Sequence, residues 1–314
     1  MEHPAKYSAP LIASEEVRKN FTKSFILIAI IVVLVFTASF ALGKMLGDIP
    51  AGLLIGTLVV VIVLPLQILT AKWAILGMTH GRKADPEDLR ERRLLHIAEG
   101  LAVSAGLSRT PEVYIIPTEV PNAFASGLNE RDAFIGVTEG LLHKMNDQEL
   151  EGVLGHEFGH IIHRDIMLNQ LVVGLISALL IIALIVERVG IFSASDSRRR
   201  DRNSGGGNAI IIIMLLALLI RPLAAILGAL LQSAISQQRE FAADAAAVRL
   251  CSYNEGLASA LEKLGGKERY SSEDVDELAG KQLAAMYIYF PRVNELFSTH
   301  PPIMERVKRL RNMY

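Results

Sequence analysis

A single cysteine, Cys251, stands among 314 residues, so no internal disulfide framework can form. That suits an active domain facing the cytosol. An excess of charge of either sign is also missing. The formal net charge is -1, which excludes the basic field of a nucleic-acid-binding protein and gives no pull toward a strongly acidic partner. No internal repeat is visible. What the chain has in quantity is apolar residues, 51% of the total, and they sit in blocks.

Four blocks stand out: Phe25–Leu42, Ala51–Ala71 with Pro65 inside it, Ile166–Val186, and Ala209–Leu231 interrupted by Arg221 and Pro222. Each is near the roughly 20 residues that cross a bilayer. The first starts late for a cleaved signal peptide, and the second follows it at once. Arg18, Lys19 and Lys23 precede the first block, and Lys72, Arg82, Lys83, Arg90, Arg92 and Arg93 follow the second. The short connection holds only Lys44 and Asp48, so the pair reads as a hairpin with both ends in the cytosol. The chain then divides into a tail and membrane hairpin (1–71), a first catalytic part (72–165), a second membrane hairpin (166–231) and a second catalytic part (232–314).

Between the hairpins the pattern predicts a mainly α fold with a small β-sheet. Positions 87–105 read as an amphipathic helix. Pro111–Ile116, Asn122–Gly127 and Ala133–Thr138 read as strands, the last two forming a hairpin around Asn129 and Glu130. Gly140–Met145 reads as a short helix. Asn146 caps the next helix, with Glu149 as its capping-box partner, and that helix runs straight into the third apolar block. The connection with Arg198, Arg199, Arg200, Arg202 and a Ser-Gly-Gly-Gly run reads as a flexible loop. A polar stretch at 271–277 and a basic last helix with Arg306, Lys308, Arg309 and Arg311 complete the chain.

The capped helix carries His156-Glu157-Phe158-Gly159-His160. Histidines four apart lie about 40° apart around a helix, one turn removed, so both imidazoles reach one metal ion. Glu157, beside that face, can take a proton from a water at the metal. A catalytic zinc needs one more protein ligand and an open position. Glu240, in Arg239-Glu240-Phe241-Ala242-Ala243-Asp244, supplies the ligand, and Asp244 one turn later accepts a hydrogen bond from a ligating histidine. Two histidines and a carboxylate suit one Zn2+ per subunit. His163, His96, His143 and His80 read as packing or surface histidines, and Arg164 and Asp165 as markers of the membrane interface.

With these motifs on the page, the sequence resembles the HtpX-type membrane endopeptidases, of the gluzincin group that includes the CAAX prenyl proteases. The resemblance rests on HEFGH, REFAAD, the NAFASG segment at 122–127, the STHPP turn at 298–302 and the placing of the apolar blocks. It implies a zincin-like metalloprotease domain with four candidate transmembrane helices, in the cytoplasmic membrane of a prokaryote. It also implies substrates among damaged or misassembled membrane proteins. Asn122, Ala123 and Phe124 would lie on the strand edge where an extended substrate docks, and His300 would stabilise the oxyanion. The family often has arginine where Gln237 stands, which leaves the zinc ligands untouched.

His160 and Glu240 must meet, so the blocks between them make two crossings or none. The uncharged third block favours two; Arg221 argues for none. Ile166 follows His160 by six residues, which puts the metal within about 10 Å of the membrane boundary. A CAAX-type processing protease shares this chemistry but resembles longer chains with more spans. A metal-stabilised scaffold without catalysis is the non-enzymatic alternative.

Overall fold

The computed structural model describes residues 9–168, 239–265 and 301–313, with helical positions 170, 171, 184 and 188. The fourth apolar block, the third beyond its first residues, the arginine-rich loop, Gln237, the 271–277 stretch and His300 lie outside the described residues. Two compact units emerge. One comprises Met1–Lys23, Ala71–Gln170 and Gln232–Tyr314, the other Ser24–Thr70 and Leu171–Leu231.

The second unit is described through helix α1 (Ala9–Leu46), α2 (Ile49–Leu58), a π-helical turn (Val59–Val63) and the start of α3 (Leu64–Met78). Asp48 caps α2 by accepting from the Ala51 N–H. Small residues let α1 and α2 approach: a Cβ on Gly52 would lie 2.4 Å from the Ser39 carbonyl oxygen. Pro65 lacks an N–H and its ring crowds the preceding turn, which accounts for the widened turn just before it. Among the described residues no single helix is long and apolar enough to cross a membrane. Ile49–Val63 and Pro65–Met78, bent by 46°, meet that requirement together. Phe25, Ile26, Val33, Leu54, Val61 and Leu69 are exposed on these helices.

In the first unit, Asp88 caps α4 (Leu89–Ser104), its carboxylate accepting from the Arg90 and Glu91 N–H groups. Leu94, Ala98, Leu101 and Ala102 form the buried face of α4. The sheet holds β1 (Arg82–Lys83), β2 (Glu112–Ile116), β3 (Ala123–Ser126) and β4 (Phe134–Thr138) in the order β1-β2-β4-β3. β2 and β4 run parallel. β3 and β4 form the expected antiparallel hairpin, with Phe124 opposite Gly136. The turn is held by Asp132, which accepts from the Leu128 and Asn129 N–H groups.

After the short α5 (Glu139–Lys144) comes α6 (Asp147–Ile162), with the complete Asn146–Glu149 capping box. α6 packs on α4, on β3 and on α8 (Glu255–Leu264), while α7 (residues 239–251) and α9 (Ile303–Arg311) close the unit. A Cβ on Gly152 would lie 2.4 Å from the Leu257 nitrogen, so only glycine lets α6 and α8 touch there. Arg311 pins α9 to α8 through Glu255 and Glu262.

One expectation is corrected. α6 does not run straight into the third apolar block. It ends at Ile162, His163 is its C-cap, Arg164 takes φ 59°, and helix resumes at Asp165. A left-handed arginine costs about 1–3 kcal/mol, so the break is held by what surrounds it.

The cap at the other end of α6 is testable by thermal unfolding in detergent. Asn146→Ala removes the acceptor for the Glu149 N–H and is expected to cost about 0.5–2 kcal/mol, seen as a lowered midpoint.

Candidate metal centre

α6 and α7 bring three ligand types to one point. His156 Nε2 and His160 Nε2 lie 3.2 Å apart. Glu240 Oε2 is 3.4 Å from His156 Nε2, and Oε1 is 3.5 Å from His160 Nε2. Two imidazole lone pairs aimed at each other repel unless positive charge lies between them. The spacing fits a metal: tetrahedral bonds of about 2.0–2.1 Å place ligand atoms about 3.3–3.4 Å apart. Three vertices are protein, and a tetrahedron has a fourth.

Each ring is oriented from behind. Asp244 Oδ1 lies 2.9 Å from His156 Nδ1, and Asp165 Oδ2 lies 2.9 Å from His160 Nδ1. With each Nδ1–H donating to its carboxylate, both Nε2 lone pairs are left for a cation. Asp244 is in turn gripped by Arg306, whose Nη2 and Nε donate to its two oxygens at 2.7 and 3.0 Å. Arg306 Nη1 stands 3.6 Å from Glu240 Oε2.

Charge balance points the same way. Among the described residues, Glu157, Asp165, Glu240 and Asp244 are buried beside the arginines Arg239 and Arg306, two more negative than positive charges when the imidazoles are neutral. A divalent ion bound there would offset that surplus. The rings draw positive charge accordingly. Burial opposes protonation of His160, yet Asp165 and Glu240 outweigh it and push its pKa up to about 10. Burial and Arg306 oppose it at His156, and Asp244 and Glu240 again prevail.

The alanine-rich character of α7 follows from its approach to α6. A Cβ on Gly159 would lie 3.0 Å from Ala243 Cα, and one on Gly155 would lie 3.2 Å from Ala247 Cα. Glycines on one helix facing alanines on the other let the backbones close to the distance a glutamate side chain can span.

A family profile described as "Peptidase family M48" matches residues 88–314. A "Protease HtpX homolog" from Dictyoglomus turgidum is 35% identical over 310 residues, covering 97% of this chain and 96% of the relative. Another from Streptococcus agalactiae is 35% identical over 304 residues, covering 95% and 99%. The chain belongs to peptidase family M48. A crystal structure of S. mikatae Ste24p shares 20% identity at a TM-score of 0.49, covering 95% of this M48 chain and 67% of that one.

Of the residues singled out from the M48 sequence, His156, His160, Glu240 and Asp244 come together in one cluster. Glu157 is buried beside His156, near enough for its charge to act on Arg306. Ala123 and Phe124 lie on β3, the last strand of the sheet among the described residues, and Asn122 immediately precedes it, its carbonyl accepting from Thr138. Phe124 packs edge-on to Phe134, so its ring is core. His163 is buried outside the ligand cluster, and His80, His96 and His143 are at the surface. Asp165, read from the sequence as a marker of the membrane interface, sits behind His160. Arg306 is fully buried in the helix read as merely basic. Its signal was available, because Ile303, Arg306, Val307 and Leu310 form one apolar stripe with an arginine inside it.

Two outcomes follow for this peptidase. Gly159→Val should wedge α6 from α7 and lower bound metal per chain, read by elemental analysis of the purified protein. Arg306→Met should leave Asp244 and Glu240 without their guanidinium and cost about 3–5 kcal/mol, read as a large drop in unfolding midpoint.

Proposed function

We propose that this M48 peptidase is a membrane-bound zinc endopeptidase that cleaves membrane proteins from the cytosolic side, in the removal of damaged or misassembled ones. The observation that carries the reading is the triangle of His156, His160 and Glu240 with Glu157 one residue from its first corner. Two histidines and a carboxylate are the donor set zinc favours, and His156, His160 and Glu240 would hold it. Zinc bound there supplies Lewis acidity, drawing a water's pKa down toward about 7.

The remaining work belongs to the chain. Glu157 takes the proton from the attacking water and returns it to the leaving amine, so it acts as base and then as acid. Asp244 and Arg306 keep His156 and Glu240 in place while charge develops. The terminal position of β3 supports substrate binding by main-chain pairing near Asn122, Ala123 and Phe124, a mode tolerant of sequence. His300, a few residues before Arg306 in the chain, is assigned to the oxyanion.

The uncharged blocks and the exposed apolar residues of α1–α3 support the membrane location, and the flanking lysines and arginines support the cytosolic orientation. Residues 72–165 and 232–314 would form the catalytic part, and 1–71 and 166–231 the membrane hairpins.

The decisive variant is Glu157→Gln. It should retain zinc at the wild-type stoichiometry while cleavage of casein or a membrane-protein substrate falls by about 10²–10⁴ or more. Chelation should abolish wild-type cleavage and zinc should restore it. Cleavage unaffected by the substitution would sink the mechanism.

A further inference from the structure

Asp165 lies where the chain interrupts its helix, and the interruption has a geometric result. In an unbroken helix Asp165 would stand about 140° around the axis from His160 and about 7.5 Å along it, with its carboxylate turned away from the ring. The C-cap at His163 and the left-handed Arg164 turn the chain back instead. Asp165 Oδ2 then accepts from His160 Nδ1 at 2.9 Å, and Oδ1 faces Arg239 Nη1 at 3.6 Å. Asp165 is 1% exposed and Arg239 9%. Arg239 is the residue before Glu240, so the path from His160 through Asp165 and Arg239 ends at the third ligand.

We propose that Asp165, held by Arg239, is a positioning residue for the metal. It fixes the His160 tautomer with Nδ1–H outward and Nε2 toward Glu240, and it ties the end of α6 to α7. This rests on reading His156, His160 and Glu240 as ligands. The arrangement mirrors the one behind His156, where Asp244 is gripped by Arg306. It differs in carrying the residue that immediately precedes Ile166, so the start of the third apolar block bears directly on a metal ligand.

The test uses the full chain in detergent and zinc affinity by chelator competition, the d–d absorption of the Co2+-loaded protein, and unfolding midpoints with and without zinc. Asp165→Ala should weaken zinc binding by roughly 10–100-fold and shift the Co2+ bands. Asp165→Asn, isosteric and still an acceptor, should fall between it and wild type. Arg239→Met should move both readouts in the same direction by less.

Zinc affinity within twofold of wild type in both Asp165 variants, with unchanged Co2+ bands, would overturn the proposal. So would an equal drop in midpoint with and without zinc at constant affinity, which marks a purely structural residue. If the alanine variant does not fold, the asparagine variant decides. Failure of both to fold, not rescued by zinc, counts against a positioning role. Failure of the underlying reading looks different: His160→Ala would then bind zinc as wild type does.

Discussion

Two imidazole nitrogens 3.2 Å apart, with a carboxylate oxygen within 3.5 Å of each, must share positive charge, a proton or a metal ion, between them. The unit that holds α6 and α7 is organised around that constraint. Water is excluded from His156, Asp165 and Asp244, so charges there interact far more strongly than at a surface. Four carboxylates without arginines would disperse the cluster. Among the described residues Arg306 and Arg239 offset two of the four negative charges, and each does so through an aspartate that aims a ring. The arginines therefore set both the charge and the direction of the ligands.

Helix packing serves the same end. Glutamate is short compared with the spacing of most packed helices. Gly155 and Gly159 on α6, facing Ala247 and Ala243 on α7, bring the backbones close enough for Glu240 to reach across. The glycine inside the HEFGH motif is thus a packing residue, and the alanines of α7 are its counterpart. Gly152 extends the close contact to α8. Three small residues spaced along one face of α6 bring it against α7 and α8.

Much of this was legible from local pattern. The cap at Asn146, the two histidines, Glu240 and Asp244 are all defined by spacing within single helices, which sequence shows directly. The strands at Glu112–Ile116, Ala123–Ser126 and Phe134–Thr138 fall within a residue or so of their expected bounds, because alternation and turn residues frame them. β1 has two residues, too few to alternate, and the parallel pairing of β2 with β4 is a long-range choice. The contact of Asp165 with His160 was missed for a physical reason. A charged residue before an apolar run looks the same whether or not it turns back under a histidine, and the left-handed Arg164 that turns it there does not show in the sequence. Arg306 needed the reverse argument, from one charge on an otherwise apolar stripe to a buried partner.

The distances along the chain carry a thermodynamic consequence. Arg306 lies 62 residues beyond Asp244 and 150 beyond His156. An unfolded chain can offer a metal only what is local, the His156 and His160 pair. Glu240 arrives only with α7 against α6, and the clamp on Asp244 only with α9 in place. Metal affinity beyond that of a two-histidine turn therefore comes from tertiary structure, and by linkage the same free energy stabilises the fold against unfolding. A helix far from the motif in sequence thus determines how tightly the motif holds its ion.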